Sequence, residues 1–181
     1  MSPGTYRQGG QGQTISYGVT DSDLGPMLVA ATTRGLCAVR FGEPDALVQE
    51  LRGEYPKAVL VEDTAPLVEY IAGVRAHLSG HTLPLTTDVP GTDFQRRVWA
   101  ALRDIPVGET RTYAQLAEMI GQPSAVRAVA RACAMNPVAV VVPCHRIVPK
   151  NGMKSGGQGG YRWGVERKAQ LLEMERLQPL S

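Results

Sequence analysis

Apolar residues come in short blocks through the first third of the chain and switch to helical spacing beyond it. Ile15-Ser16-Tyr17-Gly18-Val19 alternates, Met27 to Thr32 is a short apolar run, and Leu36 to Phe41 follows a Thr33-Arg34-Gly35 turn. These three segments predict an antiparallel meander. Leu47, Val48 and Leu51 behind Pro44 predict a helix to about Tyr55, ended by Pro56. Leu67, Ile71, Val74 and Leu78 share one face of a second helix, Pro66 to Leu78, closed by Gly80. Residues 1–13, rich in Gly and Gln, read as a loose arm. The segment 83–92, LPLTTDVPGT, breaks the periodicity and sets a boundary between a domain at 14–88 and another at 89–181.

Helices dominate the second part. Thr92 or Asp93 can cap a helix carrying Val98, Trp99 and Leu102, which Pro106-Val107-Gly108 ends. Thr112 can cap a helix from Tyr113 to Ile120, and after Gly121-Gln122-Pro123 Ser124 can cap another from Ala125 to Ala134. Two helices around a short glycine-bearing turn have helix-turn-helix geometry, although most helical hairpins bind no DNA. Val138 to Val142 reads as a buried extended stretch that delivers Pro143-Cys144-His145-Arg146. A glycine-rich loop, 151–160, and a helix from about Trp163 to Leu177 follow. The fold class is α+β, with an α/β first domain and a mainly helical second one.

At 43% hydrophobic and 20% charged residues the chain is globular rather than disordered. No apolar run reaches membrane-span length, and MSPGTYRQGGQGQTISYG has no apolar core of a secretion signal. A cytosolic setting and no membrane partner are therefore expected. Three cysteines, Cys37, Cys133 and Cys144, argue against a disulfide framework. His77 and His81 are spaced like a helical metal pair, but Ser79 and Gly80 lie between them, so solvated histidines at a helix end are expected and no metal. Charge is uneven. Residues 1–91 hold 6 Lys/Arg against 10 Asp/Glu, net −4, whereas 92–181 hold 13 against 7, net +6. The second half is the part to test against a polyanion.

A thiol is a nucleophile only as thiolate, so its neighbours must take the proton or stabilise the anion. Cys144 has His145 beside it. On an extended strand adjacent side chains point to opposite faces, so a turn at Cys144 or a bridging water is needed to bring base and thiol together. The histidine needs a carboxylate to orient it, and Glu166, Glu173 and Glu175 on the last helix are candidates. The competing reading is a buried structural cysteine. Cys37 and Cys133 read as packing residues.

Val142-Pro143-Cys144-His145-Arg146-Ile147 resembles the active-site motif of the O6-alkylguanine-DNA alkyltransferases. The resemblance extends from about Gly91 to Glu175. It takes in Phe94-Gln95 to Trp99, Ile105 to Thr110, Tyr113 to Ala117, Ala125 to Ala130, Asn136-Pro137 and Gly160-Tyr161-Arg162-Trp163-Gly164, in order and at family spacing. In the first half, Ala31 to Val39 is similar to bacterial Ada-type members, and Tyr6-Arg7-Gln8-Gly9-Gly10 resembles the junction to their upstream regulatory part.

The resemblance implies irreversible, single-turnover transfer of an alkyl group from O6-alkylguanine in double-stranded DNA, and from O4-alkylthymine as a further candidate substrate, to Cys144. His145 would take the thiol proton through a water, and Glu175 would hold His145, with Glu173 as its competitor. Tyr113 would donate toward guanine N3, and Asn136 would bridge the helix-turn-helix to the active turn. The resemblance further implies a minor-groove helix that flips the base. Arg127 would fill the gap, and Tyr113, Gln115, Thr112, Ser124, Ala125 and Ala128 would face DNA. Val142, Pro143, Ile147, Tyr161 and Arg162 would form the substrate pocket. No cofactor and a monomer are expected. The loop between Cys144 and Tyr161 is about four residues longer than in Ada-type members, which bears on pocket size. The rival readings are a lesion sensor that transfers nothing and an alkylation-responsive transcription regulator.

Overall fold

The computed structural model describes residues 1–150 and 160–178. The chain forms two compact units. One comprises Met1–His77 and Thr82–Thr92, the other Leu78–His81 and Asp93–Ser181.

In the first unit, β1 (Thr14–Thr20), β2 (Met27–Ala31) and β3 (Leu36–Phe41) form the antiparallel meander that the pattern predicts. A fourth strand, β4 (Val59–Glu62), pairs in parallel with β1, and the sheet order is β3-β2-β1-β4. Sequence patterning missed β4, because it is four residues long and mostly exposed at the sheet edge. The parallel pairing needs a crossover, which α2 (Pro44–Glu54) supplies. Leu47 and Leu51 of α2 pack with Ile15, Leu28, Ala30 and Ala38 of the sheet. A short 3-10 turn and α3 (Val68–Leu78) replace the single helix expected from Pro66. Residues 3–7 form helix α1 in place of the expected loose arm. Ser2 caps it with Pro3 in the first turn, Tyr6 meets Tyr55 edge to face at 5.7 Å, and Lys57 N–H donates to Gly9 O at 2.8 Å. Glycine content hid these anchors. Gly9 and Gly10 adopt φ of +70° and +77°, so they turn the chain onto its own unit rather than loosen it.

The second unit is mainly helical. Helix α4 (Asp93–Arg103) buries Val98, Trp99, Ala101 and Leu102. The Trp99 indole donates to Ala132 O at 2.9 Å and so fixes α4 against α6 (Val126–Ala134). Helix α5 (Tyr113–Met119) starts with a capping box, in which the Thr112 hydroxyl accepts from Gln115 N–H and the Gln115 carbonyl accepts from Thr112 N–H. The α5–α6 pair has the order and spacing of a helix-turn-helix. Ser124 does not cap α6. Ala125 occupies the cap position with no side-chain bond, because the turn brings the chain in one residue later than the pattern suggests. The last helix, α7, runs Val165–Arg176.

Val138 to Val142 is not extended. It is a buried turn in which Val142 N–H reaches back to Val138 O at 3.1 Å and Val140 takes φ +70°. An apolar run registers burial but cannot separate a strand from a buried turn. Positive φ in a β-branched residue is strained, so tertiary bonds must hold it there. A local bond assists: the Asn136 side-chain carbonyl accepts Val138 N–H at 3.0 Å.

Candidate active site

A 3-10 turn over Cys144–Arg146 solves the problem that adjacency posed. It lifts Cys144 and His145 off a strand's alternating faces. Beyond the turn, β6 (Ile147–Val148) pairs in parallel with β5 (Arg111–Thr112), which joins the turn to the start of α5. Asn136, fully buried just past α6, holds the turn from the other side. Its amide donates to Val142 O at 2.9 Å and to Cys144 Sγ at 3.3 Å. A donor aimed at sulfur favours the thiolate over the thiol.

His145 is also fully buried, and its Nε2 lies 2.6 Å from Glu175 Oε1. The carboxylate fixes the tautomer: Nε2 carries the proton and donates it, which leaves the Nδ1 lone pair free. Nδ1 has no hydrogen-bond partner among the described residues. Burial lowers the affinity of His145 for a second proton, against the pull of Glu175, so the ring rests neutral as a base should. Glu175 is shared. Arg146 Nε and Nη2 donate to it at 3.0 and 2.8 Å, and Arg146 Nη1 donates to Ile105 O at 2.6 Å. Burial opposes ionisation of Glu175, but the hydrogen bonds and charges of His145 and Arg146 outweigh it and hold its pKa at about 2. Glu173 is exposed and pairs with Arg176, and Glu166 is exposed in the first turn of α7.

Cys144 opens on a cavity of about 260 Å³. Tyr113, Tyr161 and Arg162 line it, as do Ala130, Cys133 and Ala134 of α6. Burial raises the Tyr113 phenol, so it stays a proton donor. The Tyr161 hydroxyl is buried with no partner among the described residues. Arg162 donates to Asn136 O at 3.1 Å. Val142, Pro143 and Ile147, expected in the pocket, are buried and are not among the residues that line this cavity. Sequence reasoning missed two groups here. The pattern gives Cys133 a packing role, yet it is both buried and part of the cavity wall. Lys168, fully buried, donates to Ile147 O at 2.6 Å and Gly160 O at 3.4 Å. Its signal was legible: Lys168, Leu171 and Glu175 make one buried stripe on α7. Of the loop expected to wall the pocket, residues 151–159 lie outside the described residues.

Arg127 and Ala128 are exposed on α6, beside half-buried Ala125, while Ser124 and Gln115 are exposed nearby in sequence. Thr112 and Gln115 spend their side chains on the capping box. Among the described residues, no helix is long and apolar enough to cross a membrane.

Burial pushes the Cys144 thiol up to about 11, with the Asn136 hydrogen bond and the Lys168 charge pulling the other way. Without a bound partner the sulfur therefore rests protonated. Labelling of Cys144 by iodoacetamide should stay slow at neutral pH and climb toward pH 11, well above the usual thiol range of about 8.5. A labelling rate that levels off below pH 9 would contradict this.

Comparison with known proteins gives the family of the chain. The family described as 6-O-methylguanine DNA methyltransferase, ribonuclease-like domain, matches residues 15–86, and its DNA binding domain matches residues 93–177. The chain is 47% identical to the bifunctional transcriptional activator/DNA repair enzyme Ada of Escherichia coli, over 97% of this chain and 49% of that one. It thus spans about half the length of that relative. It is 40% identical to the inducible methylated-DNA–protein-cysteine methyltransferase of Bacillus subtilis, over 82% of this chain and 83% of that one. Mycobacterium tuberculosis OGT, solved in complex with DNA, superposes with a TM-score of 0.72 at 36% identity, over 89% of this chain and 92% of that one.

Proposed function

The chain belongs to the 6-O-methylguanine DNA methyltransferase family, and from that premise we propose that it repairs DNA by moving the alkyl group of O6-alkylguanine onto its own Cys144. One observation carries the reading. A thiol that lines a cavity lies in a single turn with a neutral, buried histidine whose Nε2 is held by a carboxylate and whose Nδ1 has no hydrogen-bond partner among the described residues.

Each group then has a task. The Cys144 proton passes through a water to His145 Nδ1, and the imidazolium so formed is stabilised by Glu175. The Asn136 side-chain amide and the Lys168 charge stabilise the thiolate. Sulfur attacks the alkyl carbon, an S–C bond forms, the C–O6 bond breaks, and the electron pair stays with guanine. Tyr113 meets the charge on the leaving base with a hydrogen bond toward N3. The thioether is inert, so each molecule acts once.

A stacked base cannot reach a buried thiol, so the nucleotide must be flipped out. Helix α6 suits a minor-groove approach. Ala125 and Ala128 are small, and exposed Arg127 can enter the stack in place of the base. Minor-groove contact reads sequence weakly, which fits a protein that acts wherever damage occurs. Residues 92–181, at net +6, supply the attraction to phosphate. We place this activity in the cytoplasm, on double-stranded DNA, with the protein as a monomer.

The test is intact mass and peptide mapping after mixing the protein with a duplex that carries one O6-methylguanine. The expected result is one methyl group per chain, located at Cys144. Tight lesion binding with no mass gain would sink transfer and leave a sensor. Intact Cys144, His145 and Glu175 favour transfer over sensing.

A further inference from the structure

The cavity holds a second thiol that the transfer reaction does not use. Cys133, on α6, is 7% exposed, as is Cys144, and both line the same space. One residue touches both cysteines. Asn136 N–H donates to Cys133 O at 3.3 Å, while the Asn136 amide donates to Cys144 Sγ, also at 3.3 Å. Burial and the charge of Cys144 both push Cys133 upward. The buried Lys168 ammonium acts on both, favouring the anion at each. The third cysteine, Cys37, is fully buried in the other unit.

We propose that Cys133 and Cys144 are a redox pair: a hydroperoxide joins them in a disulfide that locks the alkyl acceptor, and a dithiol reductant releases it. The oxidant enters by the cavity, which admits a molecule the size of hydrogen peroxide. Cys144, with the Asn136 donor at its sulfur, reacts first. Its thiolate attacks one peroxide oxygen, the O–O bond breaks, and Cys144 becomes a sulfenic acid as hydroxide leaves. The Cys133 thiolate then attacks the Cys144 sulfur, an S–S bond forms, and a second hydroxide leaves. The two thiol protons convert both hydroxides to water. Two sulfurs have lost one electron each, and one peroxide has gained both. A bond of this kind in a reducing compartment is transient and regulatory rather than structural. It also protects the acceptor, since an unresolved sulfenic acid can pass to the irreversible sulfinic state. The loss of transfer rests on the function proposed above, whereas the cross-link does not.

The experiment treats the reduced full chain with hydrogen peroxide, then divides the sample. One part is mapped by mass spectrometry without reduction, and the other is assayed for methyl transfer before and after dithiothreitol. We expect a Cys133–Cys144 linked peptide, a fall in transfer of more than about tenfold, and recovery with the dithiol. Cys133→Ser, scored against its own reduced rate, should recover far less, with sulfinic acid at Cys144. Peroxide that yields no such cross-link, a cross-linked protein that still transfers, or equal recovery in Cys133→Ser would each overturn the proposal. A reduced wild type that transfers nothing would overturn the function instead and leave the cross-link to be judged by mass alone.

Discussion

Glu175→Gln should destabilise the protein by about 3–5 kcal/mol, because it removes the charge partner that buried Arg146 has among the described residues. The carboxylate accepts from His145 Nε2 at 2.6 Å and from Arg146 Nε and Nη2. An amide keeps one acceptor and turns an NH₂ group toward donors that have nowhere else to go. Denaturant unfolding measures the loss, and a midpoint equal to wild type would refute the assignment. Transfer should fall as well, by roughly 10²-fold, since His145 loses its orienting partner and its tautomer. The pH dependence follows from the two pKa directions. Glu175 is depressed to about 2, so its contribution is complete above the usual carboxylate range and fades as pH falls toward 2. His145 is also depressed, which for a base means that the unfolded chain takes up a proton first. Stability should therefore begin to drop as pH falls below about 6.5. Glu175→Gln should flatten the lower part of that decline and leave its onset.

Asn136→Ala acts on chemistry more than on folding alone. Three bonds go at once: the donors to Val142 O and Cys144 Sγ and the acceptor for Val138 N–H. The cost in stability is about 1–3 kcal/mol for buried groups left unpaired. A hydrogen bond to a charged group contributes about 1.5–3 kcal/mol, so loss of the thiolate donor should slow transfer by roughly 10- to 100-fold. Asn136→Asp separates the effects. It can still accept Val138 N–H, but it has no donor for sulfur and sets a second negative charge beside the thiolate. Transfer by the aspartate variant should therefore be slower than by the alanine variant. The reverse order would mean that Asn136 works only by shaping the turn.

Much of this site could be read from the chain before any coordinates. The meander and the helix cap at Thr112 rest on local rules that tertiary structure did not override. Local rules left Glu166, Glu173 and Glu175 open, and the resemblance alone pointed to Glu175. All three lie on α7, and the facing of the helix buries Glu175, with Lys168 and Leu171 as its companions. The valine run at 138–142 misled because five small apolar residues say inside without saying straight. The Asn136 side chain bends them, and its reach across six residues to Val142 has no periodic signature. Cys133 was assigned correctly to the interior and incompletely to function, since pattern alone does not separate a core face from the wall of a cavity.

The ammonium of Lys168 closes a ring. By holding Ile147 O and Gly160 O together it anchors the base of whatever chain runs between them. Once such a base is fixed, lengthening the span costs little, about 0.6 kcal/mol for each doubling. The acceptor turn below can therefore keep one geometry whatever the length of the span above it.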